Sequence, residues 1–445
     1  MKEQQHVPFG QLHRSLIKTL FFLLIVFIPS NLFLVISEGA AFVSGLRVDY
    51  LIPKLYFSLV LALLMLATHV VFVVKNRGFR FLLSSLQSKF FANRWWLVVL
   101  LFVVRQFFTA LPTVSVWFLV QLMIVGALGA FLSRQRWLLE GMFFTWAVFV
   151  SLLIQVGLAL YQFIFQQPLL PYYLFGESRF EPYFRISRQM FDGKEKILAY
   201  GSTPHPNVLA GVGVIFLMIL SLNLWKKYQR KIWSSSLPLT MISLSFAGVA
   251  VLLYTTQSLS ALLTLVFAVI FAATQPLLKK IKTQKMATCL MLVALITMLI
   301  VAPIYLSFQA QQQPTEPSIT RRAQLNQAAN NMFQERWLTG VGLNQFTVHL
   351  EDFANNKEIV RFVQPAHHVG LLWLAEAGLL GGILLVIGYL QMTQKQRFQL
   401  VILLIILSPI ITLDHYLYTI QIGQFAVMLW GCQLISSHHL DQGWE

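Results

Sequence analysis

The stretch from Gln364 to Gly382 (QPAHHVGLLWLAEAGLLGG) places two adjacent histidines in front of a long apolar segment. Proline is favoured at the first position of a helix, so we expect a helix to begin at Pro365. His367 and His368 would then lie in its first turn, where free N–H groups and the helix dipole disfavour a positive charge. A general base must be neutral at working pH. The spacing therefore makes His367 the candidate catalytic base, with His368 beside it.

The same spacing also fits an ordinary packed membrane helix with two interfacial histidines. At 100° per residue, Gly378 shares the helix face of His367. Gly378 and Gly382 form a G-x-x-x-G pattern, which lets a second helix approach closely. Glu376 would project from the opposite side. Spacing alone leaves both interpretations open.

Composition restricts the class of protein. The 445 residues are 57% hydrophobic and 11% charged, with a mean hydropathy of +0.67, whereas soluble domains carry about 25% charged residues. We predict an all-α polytopic membrane helical bundle that forms one integral membrane domain over residues 1–445. The net charge of +16 does not indicate nucleic-acid binding, because the basic residues cluster in short segments on one predicted side of the membrane.

Spans of about 20 mostly apolar residues can cross a bilayer, and the sequence predicts about twelve transmembrane helices. They lie near residues 15–37, 50–74, 95–111, 113–132, 137–164, 206–225, 236–254, 259–275, 286–308, 366–390, 398–413 and 416–436. The first run exceeds the core of a signal peptide, about 7–15 residues, and is expected to remain as an anchor. Basic clusters near 75–94, 134–136, 226–231, 279–285 and 395–397 all fall on one side, which places both termini in the cytoplasm.

Two long segments outside the predicted spans, residues 166–205 and 309–365, then lie on the extracytoplasmic side. The first carries Arg185, Arg188 and Lys196, and it ends in a proline-rich turn with His205 and Asn207 where the next span opens. A helix N-terminus binds anions, and phosphate above all. The first loop therefore offers candidate anion-binding residues next to a helix start.

The second loop contains a predicted short helix with Ser318 or Thr320 as its cap. Arg322 shares one face of this helix with apolar residues and could be directed at a site beneath it. Asp414 lies at a turn on the same predicted side. An anion site would form if the loops meet. Alternatively, the loops never meet and the arginines form a solvated or headgroup-facing edge.

Four stretches in this order resemble the bacterial O-antigen ligase and polymerase family of membrane glycosyltransferases. His367 is followed, after His368 and nine further residues, by G-L-L-G, and the family usually has Asn, Ser or Gln where this chain has His368. The other three stretches are 201–211 (GSTPHPNVLAG), 322–329 with 340–346, and 414–424 (DHYLYTIQIGQ).

The resemblance implies a C-class glycosyltransferase-like fold, a polyprenyl-diphosphate-linked glycan donor, and no nucleotide sugar, metal or other cofactor. The acceptor would be a glycan, a lipid or a protein at the outer face of the bacterial cytoplasmic membrane. By the same resemblance, His367 activates the acceptor hydroxyl or assists the leaving diphosphate, and Arg322 binds the diphosphate. Leu198 and Leu259 stand where relatives often carry arginine. Arg185, Arg188 or Lys196 would then compensate.

We therefore expect an inverting glycosyltransferase. The alternative from another class is a flippase or transporter of lipid-linked saccharides, and a third is a non-catalytic scaffold of an envelope assembly. Transporters are often built from repeats with broken helices near the membrane midplane. The sequence has no clear internal repeat, and its polar candidates gather at one face, which favours the enzyme.

Overall fold

The computed structural model describes residues 6–39, 41–78, 95–180, 186–229, 237–278, 283–312, 317–356, 359, 361 and 363–436. The candidate residue Arg185 lies outside these ranges, as do parts of the basic clusters predicted at 75–94, 226–231 and 279–285.

Helices dominate the described part of the chain. In order they are α1 (His6–Phe27), α2 (Phe57–Arg77), α3 (Trp96–Arg105), α4 (Pro112–Arg134), α5 (Arg136–Glu140), α6 (Met142–Phe165), α7 (Tyr172–Phe175), α8 (Pro206–Gln229), α9 (Leu237–Thr256), α10 (Leu259–Leu278), α11 (Gln284–Gln312), α12 (Pro317–Glu335), α13 (Leu350–Phe353), α14 (Val369–Gln391), α15 (Gln394–Leu413), α16 (Tyr416–Thr419) and α17 (Gln421–Ser436).

Eight helices of the described chain are long and apolar enough to cross a membrane, namely α2, α4, α6, α8, α9, α11, α14 and α15. Two shorter apolar helices cover 96–108 and 259–274. The prediction of an all-α, multi-pass membrane bundle is therefore confirmed. Helices α1, α3, α10 and α17 overlap the remaining four predicted spans, although α1 ends at Phe27, ten residues before the predicted end of its span, and the count of twelve spans stays a prediction.

Three small antiparallel sheets, which the sequence analysis did not predict, lie between the helices. Each has two strands: β1 (Phe33–Val35) with β4 (Lys54–Tyr56), β2 (Phe42–Val43) with β3 (Leu46–Arg47), and β5 (Arg188–Phe191) with β6 (Lys194–Ile197). Asp192 and Gly193 connect β5 to β6 with φ of 48° and 76°. Asp-Gly is a strong signal for this two-residue hairpin turn.

The buried apolar side chains form two main clusters. The larger one joins α1, α2, α4, α6, α8, α9, α15 and α17. The smaller one joins α12, the segment 341–350 and the first half of α14, and includes Leu325, Ala329 and Met332 of α12. These three side chains share the helix face predicted from their spacing, and all are fully buried. The candidate site lies where elements of the two clusters meet.

The start of α14 differs from the prediction. The helix begins at Val369 rather than at Pro365, because His368 occupies the N-cap position with extended backbone angles. Its ring Nδ1 accepts a hydrogen bond from the backbone N–H of Leu371 at 3.1 Å. His367 therefore lies just before the helix and not in its first turn, so no helical face aligns it with Gly378.

The glycine pattern in α14 also has a different role from the predicted helix contact. Gly378 has φ of 60° and interrupts the helix. A Cβ at this position would lie 2.5 Å from the backbone nitrogen of Gly340, whereas a Cβ on Gly382 would have no heavy atom within 4 Å. Gly378 thus admits the backbone of the 338–340 segment, and the expectation of a close helix packed on Gly378 and Gly382 is wrong.

Candidate functional site

Four segments that are distant in sequence bring their polar side chains together: the turn before α14, the α15–α16 turn, the start of α8, and α12. The ring centroids of His367 and His415 are 5.1 Å apart, with the planes at 80°. The charges of Arg322 and Asp414 both act on His205, His367 and His415. Arg322 of the second predicted loop therefore lies within electrostatic range of His205, which ends the first.

Asp414 is the anchor of this cluster. It caps the C-terminus of α15 and is only 6% exposed. Its carboxylate accepts a hydrogen bond from the backbone N–H of His415 at 2.8 Å and one from Asn207 Nδ2 at 2.9 Å. Burial raises the pKa of Asp414, but the imidazoles of His415, His367 and His205 and the His415 N–H outweigh it and lower the pKa. A buried negative charge therefore lies among the histidines.

Asn207 connects this carboxylate to His205. Helix α8 begins at Pro206, as the sequence predicted, because proline is suited to the first helical position. The backbone N–H of Asn207 donates to His205 Nδ1 at 3.1 Å while its side chain donates to Asp414. Because His205 Nδ1 accepts a hydrogen bond, the neutral ring carries its proton on Nε2. The His205 side chain is exposed, so it faces the accessible side of the cluster.

His367 has the properties of a base without a fixed partner. Burial lowers its pKa most, His415 and Arg322 lower it further, and Asp414 opposes the shift, so that the pKa lies well below 6.5. The imidazole is therefore neutral at pH 7. Its Nδ1 atom is buried and has no hydrogen-bond partner among the described residues. The side chain as a whole is only partly buried, which leaves it accessible to a substrate.

His368 has a different environment. It is 2% exposed. Since Nδ1 accepts from the Leu371 N–H, Nε2 carries the proton and donates to the Leu299 carbonyl at 3.1 Å. Both ring nitrogens thus contact backbone atoms of α14 and α11.

The basic residues of the first loop have other contacts. Arg188 forms an ion pair with Glu195 across the β5–β6 hairpin at 3.0 Å, and both side chains are about half exposed. The ammonium group of Lys196 lies 4.8 Å from the ring centroid of Phe163 on α6. Their predicted role as substitutes for the missing family arginines stays a prediction. Of the two leucines at those positions, Leu198 is buried and Leu259 is exposed.

Sequence reasoning missed the network that holds the segment after α12 against α14. Glu376 is fully buried and accepts hydrogen bonds from Tyr50 Oη at 2.6 Å, Tyr418 Oη at 2.8 Å and the Phe346 N–H at 3.0 Å. The Val341 N–H also donates to the Ala375 carbonyl at 2.9 Å. The sequence signal for this network was Glu376 itself, because a carboxylate inside a long apolar span must find hydrogen-bond partners.

Glycines in two of the matching stretches make room for this arrangement. A Cβ at Gly340 would lie 2.3 Å from the Glu376 carbonyl oxygen, and Gly340 has φ of 66°. A Cβ at Gly211 would collide with Tyr416 Oη. Both glycines therefore allow close approach of the elements that carry the cluster.

Within the described ranges, no group of three or more His, Cys, Asp or Glu is placed to bind a metal ion.

Comparison with known protein families gives a match over part of the chain. Residues 244–386, about a third of the chain, match the family model described as O-antigen ligase. The matched range includes Arg322, His367 and the Gly378 break. No curated protein and no solved structure matches the chain. Over this range the chain is similar to the O-antigen ligase family, and the match supports O-antigen ligase-type glycan transfer by a multi-pass bacterial inner-membrane protein.

Proposed function

We propose that the protein transfers a glycan from a polyprenyl-diphosphate-linked donor to an acceptor hydroxyl, by an inverting and metal-independent reaction. Transfer takes place at the outer face of the cytoplasmic membrane, with both termini in the cytoplasm. The observation that supports this best is the cluster in which a neutral His367 lies within the field of Arg322 and Asp414.

Arg322 binds the donor diphosphate. A guanidinium group presents several N–H donors in a planar fork that matches phosphate oxygens. Arg322 lies near the N-terminus of α12 and is only partly buried. The N-terminus of α8, which has 24 residues, adds favourable dipole charge near Asn207. The diphosphate would therefore meet two sources of positive potential.

His367 is the general base. The acceptor oxygen attacks the anomeric carbon while its proton passes to the neutral imidazole. The bond between that carbon and the diphosphate oxygen breaks, and the electron pair leaves with the diphosphate. Attack opposite the leaving group inverts the anomeric configuration. Arg322 stabilises the charge that develops on the leaving group, and one such contact is typically worth about 10²–10³ in rate.

Asp414 stabilises the imidazolium that forms on His367. A nearby negative charge favours the charged form of a base, and Asn207 and the His415 N–H hold this carboxylate in place. His205 faces the accessible side, where it can donate from Nε2 to a substrate oxygen. His368 positions His367 by capping α14. Arg188 and Lys196 remain candidates for contacts with substrate beyond the diphosphate.

The acceptor is a glycan, a lipid or a protein hydroxyl. The bilayer supplies the donor, because a polyprenyl chain partitions into the hydrocarbon region. No group in this cluster requires a nucleotide sugar.

Purified protein in liposomes with a polyprenyl-diphosphate-linked oligosaccharide and candidate acceptors tests the proposal. We expect glycosylated acceptor with inverted linkage, and a loss of donor affinity of about tenfold or more in Arg322→Ala from loss of a charge-assisted contact. Arg321→Ala, the adjacent arginine, is the matched control and should retain affinity. Movement of the glycolipid across the bilayer without any transfer would instead identify a flippase and contradict the proposal.

A further inference from the structure

A cavity of about 550 Å³ lies between the second half of α11 and the first half of α12. It reaches Leu371 in the first turn of α14, four residues after His367. Pockets that hold small molecules measure about 300–1,000 Å³. The cavity is therefore large enough for a ligand, and its lining residues lie close in sequence to His367 before α14 and to Arg322 on α12.

The walls of this cavity are neutral and combine apolar side chains with uncharged polar ones. Among the described residues none of its lining side chains carries a formal charge. Hydroxyl and amide groups supply the polar surface: Ser307, Gln311, Thr320, Gln324, Asn326, Gln327 and Asn330. Amides and hydroxyls form hydrogen bonds as both donors and acceptors. This chemistry suits the hydroxyl groups of a neutral sugar better than it suits an anion or a hydrocarbon.

Asn326 is the residue that points most clearly to a ligand. Its side chain is 3% exposed, and neither Nδ2 nor Oδ1 has a hydrogen-bond partner among the described residues. Buried polar groups in native proteins are nearly always satisfied, and leaving them unpaired is costly. Asn326 lies one helical turn after Arg322 on α12. An amide with a free donor and a free acceptor can bind two neighbouring hydroxyls of one sugar ring.

We propose that this cavity binds a neutral sugar unit of a lipid-linked substrate, with the Asn326 amide as the central hydrogen-bonding group. The inference rests on the proposed function, because it concerns the substrate that His367 and Arg322 process. The sugar belongs either to the donor glycan or to the acceptor. Both have the same hydroxyl chemistry, and the experiments below separate them.

The first test is the Asn326→Leu variant, with Gln334→Leu on the exposed side of α12 as its control. Leucine has a similar volume and needs no hydrogen bonds. We expect the variant to melt at the same or a higher temperature, because no intramolecular bond is lost. The KM for one substrate should rise about tenfold. A rise for the donor assigns the sugar to the donor, and a rise for the acceptor assigns it to the acceptor.

Unchanged KM values for both substrates would overturn the inference, and so would a clear fall in melting temperature, since that would show a structural amide. Failure of the proposed function is a separate outcome, in which the wild-type protein makes no product with any donor.

The second test reports binding without turnover. Gln327, an exposed residue in the lining, is replaced by cysteine in a Cys289→Ser background, because Cys289 is exposed and Cys432 is buried. The polyprenyl-diphosphate-linked oligosaccharide or the acceptor should slow labelling by a water-soluble maleimide at least severalfold. The same substitution at Gln334 should show no protection. Equal labelling of the Gln327→Cys variant with and without both substrates would refute the sugar site.

Discussion

Replacing Glu376 by leucine should detach the segment that follows α12 from α14. The Glu376 carboxyl group accepts hydrogen bonds from Tyr50, Tyr418 and the Phe346 N–H at 2.6–3.0 Å, and it is fully buried. The substitution therefore leaves three donors without an acceptor in a site closed to water.

The magnitude follows from the number of lost partners. One buried donor left unsatisfied costs about 1–3 kcal/mol. Three such donors, with some local rearrangement, give a destabilisation of about 3–5 kcal/mol, which is at the upper end for single substitutions. Glu376→Gln keeps one acceptor oxygen, so we expect a smaller loss of about 1–2 kcal/mol.

Equilibrium denaturant titration of the purified protein in detergent measures this loss. Glu335→Leu is the matched control, because Glu335 is 63% exposed and only 3.8 Å from Arg336 in a surface pair. The control should change stability by no more than about 0.5 kcal/mol. Transfer activity should fall with Glu376→Leu, since the network holds the segment after α12 against α14.

A Glu376→Leu protein as stable as the Glu335→Leu control would refute this reasoning. It would show that the three donors find other partners, and that the network does not hold the segment after α12 against α14.

Three further predictions concern the turn at His367 and the helix that follows it. The acid limb of kcat/KM for the donor should lie below pH 6.5, because the pKa of His367 is lowered in the free protein. The acid limb of kcat should lie at higher pH, because bound diphosphate adds negative charge and raises that pKa. pH–rate profiles in which the kcat limb lies at the lower pH would contradict this prediction. Gly378→Ala should lower the melting temperature, since its φ is 60° and its Cβ would press on Gly340, while Gly382→Ala should leave the temperature unchanged. His368→Asn should keep the helix cap and nearly full kcat, whereas His368→Leu should lose about 1 kcal/mol of stability. A hundredfold fall in kcat for the asparagine variant would mean that His368, and not His367, is the base.

The sequence predicted the helical membrane bundle well because long apolar runs leave little choice in a bilayer. The start of α8 at Pro206 could also be predicted, since proline is favoured at the first position of a helix. The three short sheets were missed. In the β5–β6 hairpin the Asp192-Gly193 turn was visible, but polar strands of four residues give too weak an alternation to be recognised.

The start of α14 was misplaced for a physical reason. Proline marks a possible first position, but the cap is decided by which side chain reaches the free N–H groups, and here that is His368. The break at Gly378 could not be predicted from a helical pattern, because it depends on a loop backbone that arrives from residues 338–340.

The members of the candidate site were found by residue type and motif, but their contacts were not. The sequence indicated only that Asp414 lies at a turn on the predicted outer side, whereas its two hydrogen bonds place it at the centre of the cluster. The link through Asn207 joins positions 207 residues apart. Such long-range pairing depends on how α8 packs near the end of α15, and no local pattern in the sequence encodes it.

The central claim is that the neutral imidazole of His367 takes the proton of the acceptor hydroxyl while Arg322 holds the diphosphate. The most direct measurement is kcat for His367→Gln at saturating donor and acceptor, in protein whose donor affinity is measured alongside. We predict a fall in kcat of about 10²–10⁴ with donor affinity within about threefold of wild type. A variant that keeps kcat within about threefold of wild type would contradict the assignment of the base and the mechanism built on it.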